Sequence, residues 1–199
     1  MRIAAAASLA AAALVPAGCG SSGKPAGTAT LPKALVAEAR PVGRGPRFQP
    51  PTRGPVAGPC RRTLGPRTGV HVELFAANRV VIVPAGIGTR PPRTTLSGRI
   101  TSASCYGDLV TLEPTGLLLV RRGERLHVSD LFREWGQPLS WVRLGPFAAS
   151  AGREVVVFVG GQRWHGFPGA VPLAAHAVVV LEVGPYVPPH VSYRFPPGI

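Results

Sequence analysis

The stretch Cys105–Ser140, CYGDLVTLEPTGLLLVRRGERLHVSDLFREWGQPLS, constrains the fold more than any other part of the chain. Leu109–Leu112 and Leu117–Val120 are short apolar runs separated by Glu113-Pro114-Thr115-Gly116. Pro and Gly between two apolar runs predict a turn joining adjacent strands. After a charged turn at 121–125 the period changes. Val128, Leu131, Phe132 and Trp135 fall at i, i+3, i+4 and i+7, one face of a helix. Asp130 suits the positive end of its dipole, and Ser129 and Asp130 read as helix-start hydrogen bonding rather than as a nucleophile. Gly136 fits a left-handed cap and Pro138 blocks continuation, so the helix is expected over 128–135. Phe132 and Trp135 are expected in the core.

The same alternation of short apolar runs and Gly or Pro punctuation continues on both sides. Val70–Ala76 and Arg79–Val83 flank Ala77-Asn78, a hairpin pattern. Thr89–Ser104 is polar, basic and Pro-containing, and reads as a loop or an edge segment. A short strand is expected within Leu139–Leu144. Strong ones are expected at Arg153–Val159 and Ala177–Val183, with Gly160-Gly161 turning into Gln162–His165. Phe167–Ala175 is a Pro-rich connection. Pro185–Ile199 reads as an ordered, irregular tail carrying Tyr186, Tyr193 and Phe195. With 45% apolar residues the chain can bury one core. The expected fold is α+β: a single, predominantly antiparallel β domain with one short helix.

The first residues address the chain rather than shape it. Met1-Arg2 precedes an apolar, Ala-rich run, Ile3–Val15, too short to span a bilayer. Ala17-Gly18-Cys19 then reads as a bacterial lipobox, although Pro16 stands where an aliphatic residue is usual. Residues 1–18 are expected to be a signal peptide and Cys19 a lipidated N-terminus. Ordinary signal cleavage and an uncleaved anchor are the alternatives. Residues 19–58, rich in Gly, Pro, Ser and Thr, are expected to form a tether with a reach of about 30–40 Å. Residues 59–199 are then the globular domain. Of the three cysteines, Cys19 is taken by the lipobox. Cys60 and Cys105 remain as a pair in an exported chain, where disulfides persist.

Several of these motifs resemble an uncharacterised family of secreted or membrane-anchored bacterial proteins. Its members carry a His-x-His-x-His strand, an IPAGIG hairpin, a Cys followed by a His-rich strand pair, a WGxPL helix exit and a closing P…Y.FP.G. HVELFAANRVVIVPAGIG (71–88), LFREWGQPLS (131–140) and GPYVPPHVSYRFPPGI (184–199) carry the likeness, which covers about 59–199. It too places cysteines just before the two His-bearing strands. Histidines at alternating strand positions share one side, an arrangement suited to Zn or Cu, so the resemblance implies a metal site. This chain has lost most of it. Only His71 stands on a His position of the pattern, while Val110, Leu112 and Leu119 occupy others. Aliphatic replacements keep β-propensity and burial and remove the donor nitrogen. The expectation is therefore a retained fold, a degenerate site, no bound metal and no cofactor. The alternative is a metal-binding or redox protein using His71, with Glu73 and Glu113 on the same strands.

No catalytic constellation is visible, and a non-catalytic binding or structural module is the expected function. His127, His165, His176 and His190 have no ligand spacing and are expected to be structural. The net charge of +13 is carried almost entirely by Arg. It reflects composition, or weak attraction to anionic lipid or wall polymer. Nucleic acid is disfavoured, because neither a basic helix nor an aromatic-interleaved basic sheet is present. The membrane, reached through lipid on Cys19, is the expected partner. The protein is placed outside the cytoplasm, anchored to the cell membrane or, failing that, secreted.

Overall fold

The computed structural model describes residues 40–185 and 187–199. Residues 1–39, which hold the expected signal peptide, Cys19 and part of the expected tether, and Tyr186 lie outside the described residues. Among the described residues twelve strands and one α-helix are formed: β1 (Arg67–Ala76), β2 (Arg79–Val80), β3 (Thr89–Leu96), β4 (Arg99–Tyr106), β5 (Leu109–Thr111), β6 (Leu117–Arg121), α1 (Val128–Trp135), β7 (Leu139–Ser140), β8 (Arg143–Leu144), β9 (Phe147–Ala148), β10 (Val156–Val159), β11 (Gln162–Trp164) and β12 (Val178–Val183). The fold is mostly β with one short helix, as the punctuated apolar runs predict.

The main sheet has the order β11-β10-β12-β1-β6-β5, with β2 paired to β1. All its pairs are antiparallel except β1 with β12, where His71 to Ala76 run alongside Val178 to Val183. Nothing local to either strand announces that parallel pair. Three hairpins close through two residues of positive φ: Ala77-Asn78, Ser97-Gly98 and Gly160-Gly161. That geometry matches the right-handed twist of the flanking strands.

Residues 89–104, expected as a loop or an edge segment, lie in the long two-stranded β3–β4 hairpin. Its strands are largely exposed and polar, so they show no apolar alternation to read, and Pro91-Pro92 falls at a register shift between Arg90 and Arg93. The packed body also begins before residue 59. Phe48 is buried in the core, its carbonyl accepts a hydrogen bond from Trp135 Nε1 at 2.6 Å, and Val42 bridges Val81. A Gly- and Pro-rich composition hid these two anchoring side chains.

Helix α1 spans the predicted residues, and Gly136 takes the left-handed conformation at φ 72°. Asp130 accepts the His127 backbone N–H at 2.8 Å, satisfying one of the free donors at the helix start. Leu131, Phe132 and Trp135 press into a core shared with Val70, Val72, Leu74, Leu109, Leu118, Val179 and Leu181. Each such side chain stabilises the fold by about 1.5–3 kcal/mol on burial. The helix thus covers one face of the sheet and leaves the other to be covered differently.

Candidate functional site

The strand register decides what faces that second side. His71 pairs with Leu117, Gly69 with Leu119, and Leu119 with Val110. Paired residues share a face and next-but-one neighbours do too. His71, Leu117, Leu119, Val110 and Leu112 therefore lie on one side, and Val70, Val72, Leu109 and Leu118 on the helix side. Val110, Leu112, Leu117 and Leu119 form a second buried cluster with Ile100 and Tyr106, and Tyr193, Phe195 and Ile199 of the tail pack over it. Gly69 makes room for this cover: a Cβ there would stand 2.7 Å from Phe195 Cδ1. Val70 and Val72, on either side of His71, do not reach this patch. Alternation along β1 turns both into the other core.

The positions that the resemblance assigns to metal donors thus converge, but as hydrocarbon. Glu113, offered above as a companion to His71 and Glu73, points elsewhere and pairs with Arg99 at 3.0 Å. Among the described residues no three of His, Cys, Asp and Glu are grouped to hold a metal ion. The side chains present do not fit the metal that the resemblance implies.

What remains polar sits at the edge of this face. His71 has only 8% of its side chain exposed. Its Nε2 lies 3.2 Å from the Thr115 carbonyl, which can only accept, so Nε2 carries the proton. Gly116 holds the neighbouring backbone at φ +78°, and any Cβ on it would collide with the Val72 carbonyl. Tyr193 stacks flat on the imidazole at 3.8 Å and 10°. Burial lowers the His71 pKa, and Glu73 offsets only part of that. The neutral ring then presents a bare Nδ1 lone pair, without a hydrogen-bond partner, 3.5 Å from Glu73 Oε1. Glu73 is in turn held by His190 Nδ1, which donates to both carboxylate oxygens at 2.8 and 2.9 Å. A cavity of about 180 Å³ opens beside His71, Glu73 and His190. His190 is expected from the sequence to be structural and Tyr193 to belong to an ordered tail, with neither linked to β1. Each is more than a hundred positions from its partner on β1, and no spacing rule links them.

His176 also tethers the tail: its Nε2 lies 2.8 Å from the Ile199 carbonyl, and Phe195 packs against its ring. His127, at the start of α1, and His165, just past β11, do not line this cavity.

A second group of buried polar atoms lies near the disulfide end. Arg67 donates to the carbonyls of Leu64, Gly107, Asp108 and Leu119 at 2.6–3.0 Å. Burial, and then Arg121, lowers its pKa to about 10 despite Asp108. It stays cationic at neutral pH and locks the ends of β1, β5 and β6. Glu134 on α1 is 1% exposed, and neither carboxyl oxygen has a partner of good hydrogen-bond geometry. Burial raises its pKa to about 8, and the nearby Ala57 backbone offsets only part of this. It is a neutral acid at pH 7. Cys60 and Cys105 form the expected disulfide, with Cα atoms 5.3 Å apart. No helix among the described residues is long and apolar enough to cross a membrane.

No family model, curated protein or solved structure matches the chain.

Proposed function

We propose that this chain is a non-catalytic, lipid-anchored extracytoplasmic module of the family it resembles, in which a metal-binding face has become packing surface. The observation that carries this reading is the shared face of Val110, Leu112 and Leu119 with His71, sealed by Tyr193 and Phe195. A first-row metal needs several convergent N, O or S donors, and three of the places that would supply them hold aliphatic carbon. The fold-preserving exchange explains why the strands persist without the ligands. The Cys60–Cys105 disulfide fits an oxidising compartment, and Cys19 supplies the attachment to the membrane.

A second reading is favoured by one specific observation. The bare His71 Nδ1 faces Glu73, two acceptors without a proton between them, and His190 stands on the far side of the carboxylate. A divalent cation drawn into that gap would relieve the repulsion. This reading makes the chain an extracytoplasmic metal-binding or redox protein using His71 and Glu73, with His190 orienting the carboxylate and Glu113 left out. Metal content of the purified chain, with and without His71, decides between the two.

A further inference from the structure

Hairpin β7–β8 has Trp141 and Val142 as its two-residue tip. Such a tip faces solvent by construction, and small or polar turn residues satisfy it at least cost. Here both are large and apolar, with Trp141 45% and Val142 55% exposed. Core packing accounts for neither. Phe167, also 40% exposed, meets Trp141 edge-on with ring centroids 5.9 Å apart. Three apolar side chains thus form one exposed patch.

The patch is bordered by cations. An open groove of about 710 Å³ runs from Trp141 and Val142 to Arg153 and Arg163. Arg143, the next residue along the hairpin, is exposed as well. The acid in the groove lining, Glu154, pairs with Arg163 at 3.2 Å. Arg143, Arg153 and Arg163 against Glu154 leave the region net positive, on a chain of net charge +13.

We propose that this patch docks on an anionic lipid surface. Trp141, Val142 and Phe167 enter the headgroup region, and Arg143, Arg153 and Arg163 meet the lipid phosphates. Trp suits that boundary because its ring is apolar and its N–H polar. Arg pairs with phosphate through a planar fork. A soluble polyanion would use the arginines but leave Val142 and Phe167 in water. The proposal deepens the membrane-anchored reading and rests on it: a chain held at Cys19 stays beside the bilayer, so a weak patch suffices.

The test uses the full chain carrying Cys19→Ser, which removes the anchor. It is mixed with vesicles of phosphatidylcholine alone or with about a third phosphatidylglycerol, and read by sedimentation and tryptophan emission. Binding is expected only to the anionic vesicles, with a blue shift in emission that Trp141→Phe abolishes while binding persists. Trp141→Ser with Val142→Ser is expected to lower partitioning at least tenfold, on the scale of two buried apolar side chains. Arg153→Gln and Arg163→Gln are each expected to lower it about fivefold. Circular dichroism confirms that these surface variants stay folded. Equal binding to both vesicles, no binding, or anionic binding without a blue shift and unchanged by the Trp141 and Val142 changes overturns the proposal. The last outcome is also what attraction of a soluble anionic polymer to the overall charge produces. Failure of the anchor is read separately: a wild-type chain that fractionates with membranes no more than Cys19→Ser overturns the anchor and leaves the vesicle result standing.

Discussion

Replacing Glu134 with Gln is expected to stabilise the protein above neutral pH and to flatten its pH dependence. The carboxyl is 1% exposed and its oxygens lack good partners. Its pKa is raised from 4.5 to about 8, chiefly by burial. Below pH 4.5 the acid is protonated in both folded and unfolded states, and it carries no pH-dependent penalty. Between 4.5 and about 8 the unfolded chain ionises while the folded one holds its proton, so stability falls as pH rises. At 1.36 kcal/mol per pH unit the loss approaches about 5 kcal/mol by pH 8, and relaxation around the ionised group reduces it to about 3–5 kcal/mol. Gln keeps the shape and cannot ionise. Denaturant unfolding at pH 5, 6, 7 and 8 measures the difference. The variant should match the wild type at pH 5 to within about 1 kcal/mol and exceed it by about 3 kcal/mol or more at pH 8. Glu182, also raised by burial, leaves a weaker slope of the same sign in the variant. His71 acts oppositely: its lowered pKa costs stability as pH falls below 6.5, where the unfolded chain takes up the proton. Equal pH profiles for wild type and Glu134→Gln, or a variant that is less stable at pH 8, would show that the ionised carboxylate is compensated and refute the reasoning.

Two further substitutions test the packing. Cys105→Ser opens a link across a sequence separation of 45, and the chain-entropy relation gives a loss of about 4 kcal/mol in denaturant unfolding; a loss below about 1 kcal/mol would mean that the fold constrains those ends without the bond. Leu112→His places an imidazole in the apolar cluster beside Leu117 and Leu119, and is expected to lower stability by about 2–4 kcal/mol; a neutral effect, read by the same assay, would mean that this face still accommodates polar side chains.

Local pattern carried a good part of this structure. Helix α1 was legible residue for residue, because Leu131, Phe132 and Trp135 keep helical spacing and Gly136 and Pro138 mark its end. The Ala77-Asn78 and Gly160-Gly161 turns were legible because few residues adopt positive φ twice in succession. The β3–β4 hairpin was not, since its exposed strands need no apolar alternation and its turn is a plain Ser97-Gly98. The burial of Phe48 beneath Trp135 was missed for a related reason: one aromatic in a Gly- and Pro-rich stretch has no period. At the site, the resemblance put Val110, Leu112 and Leu119 where its pattern has His, and the pairing of β5 with β6 brings them into one cluster. Alternation along β1 puts Gly69, not Val70 or Val72, on the face of His71, and register brings it opposite Leu119. His190 and Tyr193 reach His71 and Glu73 only through tertiary folding of the tail, and nothing within either segment encodes that meeting.

The proposed function has the face shared by His71, Val110, Leu112 and Leu119 pack rather than coordinate. Its most direct test is elemental analysis of the full chain purified without chelator, followed by titration with Zn or Cu. Well under one metal per chain is expected, with no saturable site tighter than about 10 μM, because hydrocarbon fills the positions where donors are needed. About one metal per chain, lost in both His71→Ala and His190→Ala variants that keep the wild-type circular dichroism, would contradict it and establish the metal-binding reading.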